Sequence, residues 1–180
     1  MKVFGIGLNK TGTTSLGKSL KILGFNKHIS WSFQLTVLWS KGNIKHILNI
    51  AKNFNNFEDL PWPLLYKEFY EEFDNAKFIL TTRKSSTVWY ESLCKHTRRP
   101  ENTPDLRRLV YGYDMPQDYK DEHIQYYEKH NKDVIEFFNK HAPDKLLVIC
   151  IEDEGNFKKI SDFLGKETPN RKFPFLNKAI

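Results

Sequence analysis

Apolar residues recur along this chain with two different periods, and the alternation between them predicts its elements. Residues 78–82 and 145–151 are near-continuous apolar runs of strand length, and residues 2–7 form a shorter one. Unbroken runs of this kind suit strands of a parallel sheet that are covered on both faces. Between them the apolar positions fall at helical spacing. Leu16, Leu20 and Leu23 line a helix from Thr13 that stops at Gly24, and residues 33–54 carry two short helices around Lys41-Gly42. Leu65, Phe69 and Phe73 line a fourth, with Pro63 in its first turn. A fifth, capped by Ser85 or Ser86, carries Val88, Trp89, Ser92 and Leu93, with Trp89 read as core. Tyr127, Val134, Phe137 and Phe138 define a long helix over 119–139, and Phe157, Ile160, Phe163 and Leu164 a short one stopped by Gly165. Three stretches resist this reading. Residues 25–31 are a second strand or a loop across the sheet's end, 55–63 read as a turn-rich connector, and 97–118 as a long basic excursion with Arg98, Arg99, Arg107 and Arg108. The order predicts an α/β fold, an open parallel sheet flanked by helices with right-handed crossovers, in one domain over residues 1–180.

Composition narrows the class. With 39% hydrophobic and 28% charged residues, and a mean hydropathy of −0.59, the chain is globular in character. No apolar run approaches the roughly 20 residues of a spanning helix. The first strand begins at residue 2, which leaves no room ahead of it for a cleaved leader, so a cytoplasmic protein without a membrane span is expected. Cys94 and Cys150 sit in a helical and a strand-like pattern without metal-ligand spacing. They are expected in the core, and no metal site is predicted. A net charge of +6 favours an anionic ligand of nucleotide type, with no nucleic-acid partner expected.

The chemistry concentrates where the first strand meets the first helix, in Gly5-Ile6-Gly7-Leu8-Asn9-Lys10-Thr11-Gly12-Thr13-Thr14-Ser15-Leu16. A glycine-rich loop entering a helix aims backbone N–H groups and the positive end of the helix dipole at one point, where an anionic oxygen sits. In a nucleotide triphosphatase loop the lysine follows the second glycine. Here Thr13 holds that place, and the loop's lysine is Lys10, two residues before Gly12.

Lys-x-Gly-Thr-Thr at this turn resembles the phosphosulfate loop of the sulfotransferase superfamily, whose donor is 3′-phosphoadenosine 5′-phosphosulfate (PAPS) and whose product is the bisphosphate PAP. The resemblance implies that Lys10 contacts the bridging oxygen, with Thr11, Gly12, Thr13, Thr14 and Ser15 around the donor. It extends to Ile79-Leu80-Thr81-Thr82-Arg83 followed by Trp89-Tyr90-Glu91-Ser92, which implies that Arg83 and Ser92 hold the 3′-phosphate. The interval from Arg83 to Ser92 is one residue longer than the family's usual spacing. Phe163-Leu164-Gly165 and Phe173-Pro174-Phe175-Leu176-Asn177 are similar to the short bacterial-type and uncharacterised branch of the superfamily. Arg171-Lys172 lies near a third phosphate-binding motif but lacks its glycine.

The resemblance thus implies a P-loop-like transferase moving a sulfuryl group to a hydroxyl or amine of a carbohydrate or small molecule. A base is needed to take the acceptor's proton. Relatives place it ahead of the arginine-bearing strand, which here offers Glu58-Asp59; Asp59 is the first choice and His28 the rival. The alternatives are a small P-loop nucleotide kinase, for which Ile151-Glu152-Asp153 is the nearest magnesium-binding segment, and an inactive nucleotide-binding relative.

Overall fold

The computed structural model describes residues 1–98, 104–154 and 157–176; Arg99 of the basic excursion and Asn177 of the tail motif lie outside the described residues. The first strand, β1 (Lys2–Gly5), runs through the loop into α1 (Thr13–Ile22). That helix closes on Gly24, whose φ of 94° puts it in the left-handed region while its N–H bonds Lys21 O at 3.1 Å. A short β2 (His28–Ile29) follows, then α2 (Phe33–Ser40) and α3 (Ile44–Ala51), on either side of Gly42 as the pattern predicts. The chain continues through β3 (Asn56–Phe57), α4 (Tyr66–Glu72), β4 (Ala76–Thr82) and α5 (Ser86–Thr97). Ser85 is the cap of α5, its hydroxyl accepting from Val88 N at 3.2 Å. Next come α6 (Pro104–Tyr111), α7 (Lys120–His141), β5 (Leu146–Cys150), α8 (Ile151–Glu154) and α9 (Phe157–Leu164).

All strand pairs are parallel, and the spatial order is β2-β3-β1-β4-β5. Alternate residues of β1 and β4 feed two cores on opposite faces. Phe4 and Phe78 join Phe57, Trp62, Phe69 and Phe138 on one face, with Phe4 stacked 4.2 Å from Phe57 and 4.4 Å from Phe69. Val3 and Ile79 join Leu16, Leu20, Ile160 and Leu164 on the other. Ligands of such sheets bind beyond the carboxyl ends of the strands where the winding reverses. Here the chain goes from β1 out to the edge strand β2 and back in to β3 on one side, then crosses to β4 and β5 on the other. The loops after β1, β3 and β4 therefore meet.

The structure departs from the pattern in three places. The connector over 55–63 contains β3, because the Asn56 amide donates to Gly17 O and Phe25 O at 2.9 and 3.2 Å and ties this turn-prone stretch into the sheet beside α1. The excursion over 97–118 contains α6, whose Leu106, Val110 and Tyr111 pack against Leu8, Leu60 and Trp89. The run over 145–151 is an edge strand rather than an interior one, and Val148 is 38% exposed.

Candidate active site

The loop after β1 is held shut by contacts that leave no room for side chains. A Cβ on Gly7 would stand 2.1 Å from Thr81 Oγ1 and 2.3 Å from Thr81 O, so only glycine permits this approach to β4. The Thr11 hydroxyl donates to Leu8 O at 2.6 Å and shares a bond of 2.6 Å with the Thr81 hydroxyl, so this side chain braces the loop from within. Lys10 (φ 68°) and Gly12 (φ 93°) both take the left-handed conformation, which turns the backbone sharply before α1. Gly12 offers no side chain to cap that helix, and the first turn has no acidic residue. Thr14 is exposed there, Thr13 is buried, and the buried Ser15 hydroxyl accepts from Leu176 N at 2.9 Å, which fastens the tail across the helix.

The turn after β3 brings carboxylates to the mouth of this loop. Asp59 (φ 68°) is the second non-glycine residue in the left-handed region, and strain of this kind is found where a structure over-determines a functional position. Its Oδ1 accepts from Leu60 N at 2.8 Å and its Oδ2 from the Thr13 hydroxyl at 3.4 Å. Burial, and then the neighbouring Glu58 charge, push the Asp59 carboxyl up to about 6, against the opposing pull of the Leu60 N–H, the Lys10 charge and the Thr13 hydroxyl. Glu58 points elsewhere. It is 2% exposed, accepts from the Ser30 hydroxyl, and lies 3.3 Å from His28 Nε2. A Cβ on Gly17 would meet Glu58 Cγ at 2.9 Å and His28 Nε2 at 3.0 Å. The structure thus places His28 against the second turn of α1 and Asp59 against its first.

Arg83 follows β4. Its Nη1 donates to Lys10 O at 3.2 Å, its Nη2 meets Glu152 Oε1 at 2.8 Å, and its main-chain N–H donates to the Tyr127 hydroxyl at 3.0 Å. Trp89 is buried as expected, and its indole N–H donates to Asn9 O at 2.9 Å, which adds a brace to the loop that packing alone did not predict. Ser92 is half-buried one turn further along α5. Sequence reasoning missed Tyr111 at the end of α6: its hydroxyl donates to Asn9 Oδ1 at 2.7 Å. The i, i+4 pair Leu106 and Val110 after a proline was the available signal for that helix.

The structure therefore gathers Lys10, Thr11, Gly12, Thr13, Asp59 and Arg83 at one end of the sheet. A cationic loop with an open helix start, facing a carboxylate able to accept a proton near neutrality, can bind an anionic group and deprotonate a second molecule beside it. Among the described residues no cluster of His, Cys, Asp or Glu is arranged to hold a metal ion, and no helix is long and apolar enough to cross a membrane. The model of the sulfotransferase domain family matches residues 2–180. No curated protein matches the chain.

Proposed function

This chain belongs to the sulfotransferase domain family, and we propose that it acts as a single cytoplasmic domain that moves a sulfuryl group from PAPS to a hydroxyl or amine of a carbohydrate or small molecule. The observation that carries this reading is the placement of Asp59 against Thr13, within reach of the Lys10 charge, so that a base and an anion-binding loop share one mouth. An anionic donor fits the residues present. Gly7 lets the loop close on β4, the start of α1 carries neither a side-chain cap nor an acidic residue, and Lys10 supplies the charge. The donor, when bound, supplies the sulfuryl group and a phosphate leaving oxygen.

Within this frame the loop over 10–14 holds the phosphosulfate end, and Lys10 stabilises the negative charge that grows on the leaving oxygen as the S–O bond breaks. Arg83 and Ser92 serve the 3′-phosphate. Asp59 takes the proton of the acceptor's hydroxyl or amine as the new bond to sulfur forms, and His28, turned toward Glu58, serves the framework. Cys94 and Cys150 are half-buried rather than in the core, and neither is in a disulfide, which suits a reducing compartment. Transfer from radiolabelled PAPS to a panel of acceptors tests the reading. Lys10→Ala should lower turnover on the responding acceptor by about 10²- to 10³-fold, as for removal of one stabiliser of developing charge. An unaltered turnover number would remove Lys10 from the mechanism.

A further inference from the structure

At the carboxyl ends of β4 and β5 a carboxylate already occupies the arginine expected to serve the donor. Thr82 faces Cys150 in register, and α8 begins directly after β5, so Glu152 stands across from Arg83. The two side chains meet at 2.8 Å. The arginine is fixed from behind, through Nη1 to Lys10 O and through its main chain to the Tyr127 hydroxyl. Its side chain is 15% exposed, whereas that of Glu152 is 32% exposed, so the carboxylate is the outer and more movable partner. The buried Arg83 Nε has no hydrogen-bond partner, so neither Lys10 O nor Glu152 satisfies that donor of the guanidinium. Next door the pairing repeats at the surface, with Lys84 Nζ 2.6 Å from Asp153 Oδ1.

We propose that Glu152 is a specificity-determining residue of the donor site: by sitting on Arg83 Nη2 it weakens the protein's preference for a nucleotide with a 3′-phosphate over one without. The inference rests on the reading given under Proposed function. A phosphate approaching Arg83 must displace the carboxylate or share the guanidinium with it, and two anions on one cation repel each other in a partly desolvated site. A nucleotide that carries only a 5′-phosphate reaches the loop over 10–14 and leaves the Arg83–Glu152 pair intact. Glu152 thus acts on one end of the donor and not on the other. Glutamine in its place keeps the shape and a hydrogen-bonding oxygen for Arg83 while removing the competing charge.

Calorimetric titration of the full chain with PAP and with adenosine 5′-phosphate tests this, for the wild type, Glu152→Gln and Asp153→Asn. Glu152→Gln should tighten PAP by about tenfold, within the range typical of coupled sites, and change adenosine 5′-phosphate by less than about twofold. Asp153→Asn removes an equal charge one residue away without touching Arg83, and should shift neither ligand by more than about twofold. Melting curves of the three proteins check that each is folded. If the wild type binds PAP and Glu152→Gln leaves the ratio of the two affinities unchanged or lowers it, Glu152 only holds Arg83 in place and the proposal is overturned, with the donor reading untouched. If neither nucleotide binds wild type or variant, the donor reading itself fails and the proposal falls with it.

Discussion

As the proposed base, Asp59 ties the chemistry of the site to stability through a single proton. Its carboxyl is raised to about 6 because burial and the Glu58 charge oppose ionisation. Between the ordinary carboxylate value and about 6 the folded protein binds more protons than the unfolded chain, so stability falls as pH rises through this window. The ionised form carries the cost at neutral pH, and the protonated form escapes it below the unfolded value. Asp59→Asn should therefore gain on the wild type by roughly 2 kcal/mol between pH 4 and pH 7, with allowance for the part of the side chain that water reaches. Urea unfolding at the two pH values reads this difference directly. The same substitution should lower turnover about 10²-fold or more, and the rise of wild-type activity through pH 6 should disappear with it. If the variant keeps full activity while His28→Gln loses it, the proton goes to His28 instead. Asn preserves the left-handed turn better than most residues would, so an activity loss without a fold loss is the expected pattern.

Among the elements, the loops after β1, β3 and β4 make the candidate site, and α6 closes over their side, where the Tyr111 hydroxyl donates to Asn9 Oδ1. The Tyr111 hydroxyl on Asn9 is buried, with the two residues 7% and 9% exposed. Tyr111→Phe keeps the ring beside Trp89 and Tyr126 but leaves the Asn9 oxygen without this donor. It should cost about 1–2 kcal/mol in denaturant unfolding, and an unchanged midpoint would mean that apolar packing alone holds the helix. This helix also shows where the sequence stops being legible. The β1 loop, α1 and β4 were readable because each signal is local: a glycine frame, a leucine stripe, an apolar run ending in arginine. The two-residue β3 was not, since Asn56 is a turn former by itself and becomes part of a strand only through bonds to Gly17 and Phe25. The edge position of β5 was equally invisible, because an apolar run looks the same at either place in a sheet. Lys10, Asp59 and Arg83 could be named from the chain. The pairing of Arg83 with Glu152, the seat of His28 on Glu58, and the tail fastened to Ser15 are contacts between distant segments, and no local pattern encodes them.

At the scale of the whole molecule, the winding reversal beside β1 sets what binding should do to stability. The groups proposed to touch the donor lie on the loops after β1 and β4, in the first turn of α1 and, for Ser92, on α5, and bonds between distant segments join them: Thr13 to Asp59, Arg83 to Lys10 O, Trp89 to Asn9 O. A ligand that bridges them binds the folded protein and not the unfolded chain, so it stabilises by mass action. At a concentration about 100 times its dissociation constant, PAP should contribute about 2.7 kcal/mol. For a chain of 180 residues that corresponds to a rise in Tm of roughly 5–10 °C. The effect is expected without added metal, because the charges proposed to meet the phosphates are Lys10 and Arg83. ATP with magnesium separates the alternatives: a kinase would answer to it rather than to PAP, and its segment Ile151-Glu152-Asp153 would have to release two ion pairs to take the metal. A rise with PAP alone supports the donor site. A rise only with ATP and magnesium assigns the loop to a kinase. A flat response to both means that the glycine frame around Lys10 is a turn without a ligand.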